Sequence, residues 1–194
     1  KKTLTASASA SNKTYDGGVS ATVTLTFSGL IGSETLGQSV SSTFSDENVG
    51  TGITVTVNSI TLSDGTNGGL ANNYSISSGQ TTTANITAKS VTVSGIIASN
   101  KTYDASTSAT VDVSGASFSG IVSGDNLSVS ASGVFDNANV GTAKTVTLTS
   151  SYSGDDVNNY SITDQASTTA NVTQKALTAT ASASNKSYDA ATTA

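Results

Sequence analysis

The sequence contains no Cys, Pro, Met, Trp, His or Arg. Without Cys, a disulfide framework and thiol chemistry are excluded. Without His and Cys, the usual general base and the usual thiol nucleophile are missing, so catalysis would fall to carboxylates. Neither adjacent acid pair, Asp46-Glu47 or Asp155-Asp156, recurs as a pair along the chain. No catalytic residue and no cofactor are therefore expected, and the protein is not read as an enzyme. Positive charge is scarce: Lys and Arg number 8 against 13 acids, for a net charge of -5. A nucleic-acid partner needs clustered cations and is not expected. No apolar run approaches the roughly 18 residues of a membrane-spanning helix. No signal peptide is visible, and Lys1-Lys2-Thr3 leads straight into an alternating pattern, which reads as a start inside a longer protein. The lack of oxidisable side chains fits an extracellular setting.

What the chain has instead is Ser and Thr, about a third of its residues. Disorder does not follow, because net charge is low and β-branched residues recur in regular alternation. The hexapeptide Ser-Asn-Lys-Thr-Tyr-Asp stands at 11–16 and again at 99–104, and Ser-Asn-Lys-Ser-Tyr-Asp stands at 184–189. Other landmarks keep the same step. Phe44 with Asn48-Val49-Gly50 matches Phe135 with Asn139-Val140-Gly141, Asn72-Asn73-Tyr74 matches Asn158-Asn159-Tyr160, and Ala84-Asn85-Ile86 matches Ala170-Asn171-Val172. A period of about 86 residues exceeds the roughly 20–45 of a solenoid repeat and suits a small domain. The expected organisation is one β-sandwich repeat over 1–88, a second over 89–174, and the first strands of a third over 175–194.

Each repeat reads as all-β. Ala21, Val23, Leu25 and Phe27 alternate with Thr, as do Ile53, Val55 and Val57. Leu4, Ala6 and Ala8 share a face, and so do Leu177, Ala179, Ala181 and Ala183. Period two with one apolar face marks a half-buried antiparallel strand. About seven strands per repeat, spaced by Gly, Asn and Asp turns, predict an immunoglobulin-like antiparallel sandwich. The joints Ala88-Lys89-Ser90 and Gln174-Lys175-Ala176 are too short for a flexible linker. A stiff linear rod of beads, each with its own core, is expected.

The hexapeptide is read as a structural corner, with Tyr15, Tyr103 and Tyr188 burying their rings and Asp16, Asp104 and Asp189 closing the turn. Tyr74 and Tyr160 are expected at a second corner. Ala105 and Ala190 replace Gly17, which suggests that the backbone there does not require glycine. An intramolecular Lys–Asn amide between Lys13 or Lys101 and Asn85 or Asn171 would need a buried acid beside it. No metal site is firmly indicated, and Asp155 with Asp156 is the weak candidate for Ca²⁺. Glycosylation tripeptides occur at Asn12, Asn73, Asn85, Asn100, Asn126, Asn159, Asn171 and Asn185. Tyr152 is the one aromatic read as standing alone in a loop.

Lys13-Thr14-Tyr15-Asp16-Gly17, with Asn48-Val49-Gly50 and Asn73-Tyr74-Ser75, resembles the YDG-type repeat and its MBG-like relatives. That resemblance implies tandem segments of bacterial filamentous-haemagglutinin-like surface adhesins. It implies a stiff stalk in cell adhesion or the biofilm matrix, at the bacterial surface or secreted. The expected partners are neighbouring repeats, other copies in a fibre, and surface polysaccharide. A glycan-binding module is the alternative reading.

Overall fold

Strands account for nearly all regular structure in a computed structural model that describes residues 1–192. Two short 3-10 turns, Ala71–Asn73 and Val157–Asn159, are the exceptions, and there is no α-helix among the described residues. The first repeat contains β1 (Lys2–Thr3), β2 (Thr5–Ala10), β3 (Lys13–Thr14), β4 (Val23–Ser28), β5 (Leu36–Phe44), β6 (Gly50–Asp64), β7 (Tyr74–Ser75) and β8 (Thr81–Thr87). β1 runs parallel to β7, and β2 pairs antiparallel with β4 from Thr5↔Ser28 to Ala10↔Val23. β3 runs parallel to β8 in a curled sheet of order β3-β8-β6-β5. The first strand therefore leaves one sheet and enters another, and the hexapeptide is where it crosses.

The second repeat contains β9 (Lys89–Ser94), β10 (Ile97–Ala98), β11 (Lys101–Thr102), β12 (Ser108–Ala109), β13 (Val111–Asp112), β14 (Ser117–Ser119), β15 (Ser128–Phe135), β16 (Gly141–Ser153), β17 (Tyr160–Thr163) and β18 (Ser167–Thr173). β9 lies between β14 and the parallel β17, β10 pairs with β13, and β11 opens a sheet of order β11-β18-β16-β15-β12. The crossing of the first strand is thus repeated. The strands expected after Lys175 are not formed: residues 174–192 carry none, and Leu177 is exposed. In both complete repeats the first strand is held by that repeat's Asn-Asn-Tyr strand and last strand, and neither segment follows Leu177 in this sequence.

The chain gathers into two compact units. One comprises Lys1–Ile96, Val113–Ala131 and Ser150–Gln165; the other comprises Ile97–Asp112, Ser132–Thr149 and the chain from Ala166. In the first unit Tyr15, Phe44, Val55, Ala84 and Ile86 share one buried cluster with Val91 and Tyr160. Phe118, Ile121, Val122, Leu127 and Ile162 pack against it. This corrects the expectation of beads with separate interiors. Residues 84–91 run through a common core, because the single residue between β8 and β9, Ala88, leaves no length for the apolar faces to separate.

In the second unit Val146 and Leu148 alternate with outward Thr, alongside buried Phe135, Ala170 and Val172. The third inward position of this strand is Lys144, which is buried. Its ammonium lies 2.9 Å from Asp136 and bonds to the Asn137 carboxamide oxygen at 2.6 Å. In the first repeat Ile53 holds the matching place. A hydrophobic residue of similar size can replace a buried ion pair without loss, whereas removing one partner strands the other. Lys144→Ile is expected to leave the urea midpoint unchanged or raised. Asp136→Ala is expected to lower the urea midpoint, because it leaves the buried Lys144 ammonium without its partner.

Candidate functional site

Each hexapeptide builds the same local device. The Asn12 carboxamide oxygen accepts from the Asn85 backbone N–H at 2.7 Å, as Asn100 does from Asn171 at 2.7 Å. This fastens the crossing to the last strand of its own repeat. The next residue, Lys13, passes over the Phe44 ring, 5.5 Å from its centroid, to reach Asp16 at 2.6 Å and the Gly18 carbonyl. Lys101 does the same over Phe135, at 5.6 Å, reaching Asp104 at 2.8 Å and the Ser106 carbonyl at 2.7 Å. Lys186 reaches Asp189 at 2.9 Å. In all three copies the bond from the lysine holds the aspartate below its ordinary carboxylate pKa.

The aspartate also accepts the backbone N–H two residues on, from Gly18, Ser106 and Ala191. The residue between lies in the left-handed region: φ is +73° at Gly17, +64° at Ala105 and +60° at Ala190. Alanine takes the same conformation at 105 and 190, so the backbone there does not require glycine, although it favours it. Alanine occupies the conformation at a cost of about 1–2 kcal/mol. Gly17 has a second reason to lack a side chain, since a Cβ there would stand 3.0 Å from Val122 Cγ1.

The tyrosines separate the three copies. Tyr15 is 4% exposed, Tyr103 38% and Tyr188 94%. Only Tyr15 buries its ring as the corner reading expects. It does so because the second repeat covers it. Its hydroxyl donates to Asp125 at 2.9 Å, and its ring meets Tyr160 edge-on, with centroids 5.5 Å apart and planes at 80°. The Tyr160 hydroxyl donates to the same Asp125 oxygen at 2.5 Å and accepts from the Val122 N–H at 2.9 Å. Beside this triad, the buried Asn159 accepts from the Val49 N–H at 3.0 Å and donates to Asn48 Oδ1 at 2.9 Å. Burial, then the bond to Asp125, pushes the Tyr160 hydroxyl pKa up to about 12 and moves Tyr15 in the same direction. Tyr74 sits in the equivalent second corner of the first repeat: its hydroxyl donates to Glu34 and accepts from the Ile31 N–H at 3.2 Å.

The other sequence candidates are placed as follows. Asp156 accepts from the Asn126 N–H at 2.8 Å and Asp155 is exposed; no group of three acids fit to hold a metal occurs among the described residues. Asn85 and Asn171 turn their side-chain oxygens to the N–H groups of Gly52 and Ala143. With Lys13 and Lys101 committed to half-exposed aspartates, the buried acid that a Lys–Asn amide requires is not beside them. Asn159 is sealed in the joint, whereas Asn73, Asn126 and Asn185 are exposed. Tyr152 is not in a loop. It lies in β16, edge-on to Phe118 at 6.2 Å, and donates to Asp164 at 2.6 Å.

The sequence pattern alone assigns no role to Asp125 or to Asn48-Val49. The available signal was the acid at the same register in both repeats, Glu34 and Asp125, seven residues after Phe27 and Phe118. The YDG domain model matches the chain twice, over residues 1–84 and 87–170. Comparison with curated proteins and with solved structures finds no match.

Removing the Asp125 carboxylate leaves two buried hydroxyls without their acceptor. Asp125→Ala is expected to cost about 2–3 kcal/mol in urea unfolding, and Asp125→Asn, which keeps an acceptor, clearly less. The tyrosine shifts set an alkaline limit. A pKa raised in the folded state contributes stability that is intact below the unfolded value of 10.0 and lost as pH rises through the folded one. The urea midpoint is expected to fall between about pH 10 and 12, and to fall less steeply in the Tyr15→Phe/Tyr160→Phe double variant.

Proposed function

Because the chain belongs to the YDG domain family, matched over 1–84 and 87–170, we propose that it is a structural repeat segment of an extracellular bacterial adhesin or surface fibre, related to the haemagglutinin-like adhesins. In this reading the repeats are immunoglobulin-like sandwiches set end to end, and they act as a stiff stalk in adhesion or in a biofilm matrix. The observation that carries it is the joint. A connection with no slack and the Tyr15–Asp125–Tyr160 triad favour a joint that resists bending and lets one repeat stabilise the next. Such a segment works by geometry and needs no reacting group.

Small-angle scattering on the purified chain tests the reading. A single globule of this length has a radius of gyration of about 16 Å, and two repeats in line exceed about 20 Å. The larger value with a narrow cross-section is expected, and a value near the globular one removes the stalk. Asp125→Ala is expected to broaden the distance distribution without unfolding the sheets.

A further inference from the structure

The chain holds 6 tyrosines and no Cys, Met, Trp or His, so tyrosine is its only readily oxidised side chain. An oxidising equivalent that reaches this protein has nowhere else to settle. Among the described residues one pair of tyrosine rings is in contact, Tyr15 and Tyr160, with centroids 5.5 Å apart. Both hydroxyls donate to Oδ2 of Asp125, at 2.9 and 2.5 Å, so the two phenol ends converge on one atom. All three residues lie in the first compact unit. The ortho carbons, which share the unpaired spin of a phenoxyl radical, flank those converging ends. Tyr74 and Tyr152 also donate to carboxylates, those of Glu34 and Asp164. Neither has a tyrosine beside it: the ring against Tyr152 is Phe118, and Tyr74 has no ring partner among the described residues.

We propose that Tyr15 and Tyr160 form a cross-linking site, joined as a dityrosine by a small one-electron oxidant of phenols, with Asp125 as the proton acceptor. Each phenol gives one electron to the oxidant and its hydroxyl proton to Asp125 Oδ2. Burial and the Asp125 carboxylate keep both hydroxyls protonated well above neutral pH, so each proton leaves with its electron rather than ahead of it. Asp125 is only half-buried and passes the first proton to water before it takes the second. The two radicals then form one bond between their ortho carbons. The two ring hydrogens displaced there return to the oxygens and restore the hydroxyls. In sum the pair loses two electrons and two protons, and two equivalents of oxidant are each reduced by one electron. Because the fold already holds the rings in contact, coupling is a step within one molecule and needs no encounter. The bond closes the loop between residues 15 and 160, as a disulfide would in a chain with cysteines, and keeps the joint from opening. This goes beyond the stalk reading and does not depend on it.

Photo-oxidation of the full chain by a ruthenium tris(bipyridine) complex with persulfate, in dilute solution, provides the test. Dityrosine fluorescence is expected in a product with the 19.1 kDa mass of one chain less two hydrogen atoms. Tryptic digestion and fragmentation are expected to place the link between Tyr15 and Tyr160. In urea, where the contact is lost, that link is expected to disappear. Tyr15→Phe and Tyr160→Phe are each expected to abolish it, and Tyr74→Phe and Tyr152→Phe to leave it unchanged. Asp125→Asn keeps an acceptor but is no base, and in the folded variant coupling is expected to slow by at least about tenfold. Three results overturn the assignment. No link forms at Tyr15 and Tyr160, the oxidant instead joining exposed Tyr103 or Tyr188 or separate chains; or the same link forms equally well in urea; or folded Asp125→Asn couples at the wild-type rate. The mapping and the urea comparison use the unaltered chain, so they decide the matter even where a variant fails to fold.

Discussion

One carboxylate oxygen, Oδ2 of Asp125, receives two tyrosine hydroxyls that come from different repeats. Everything at the joint depends on that meeting. A buried hydroxyl without an acceptor carries its full desolvation cost, so Tyr15 can be covered only where an acceptor is delivered to it. Tyr160 fixes Asp125 from its own repeat. The edge-on ring contact and the Asn159 bridge then add specificity to a small apolar interface. No other charge is needed to hold the place, which suits a chain with so few cations.

The consequence is coupling rather than independence. A chain of separate beads bends at its links. Here the cluster that contains Val55 and Ile86 also contains Val91 and Tyr160, so opening the joint exposes part of the first repeat's core. Stability then becomes a sum of repeat terms and joint terms, as in repeat arrays generally. A chain without disulfides gains from this arrangement, because each repeat of about 86 residues is small enough for its own core to be marginal.

Much of the fold was legible in the sequence. Alternation of Thr with Val, Leu and Ile marks β4, β6 and β16, because a half-buried strand has period two whatever its neighbours. The repeat step, the absence of α-helix among the described residues and the short joints were equally readable. The inward Lys144 was not, since an ion pair formed across a bend leaves no mark on the alternation except a polar residue where an apolar one is due. Tyr152 was misread as a loop residue because β16 runs on past its last strongly apolar position. The shared core was missed because patterning shows which face of a strand is apolar but not what covers it.

The three hexapeptides separate the two kinds of information. By itself the sequence determined the local turn: the lysine–aspartate pair, the backbone bond two residues on and the left-handed residue between them form in every copy. They form even at 184–191, where no strand supports them, because all their atoms lie within a few residues. The fate of the tyrosine was decided by tertiary structure alone. The same side chain in the same turn is buried at 15, half-covered at 103 and bare at 188, since its acceptor and its ring partner lie more than a hundred residues further along the chain.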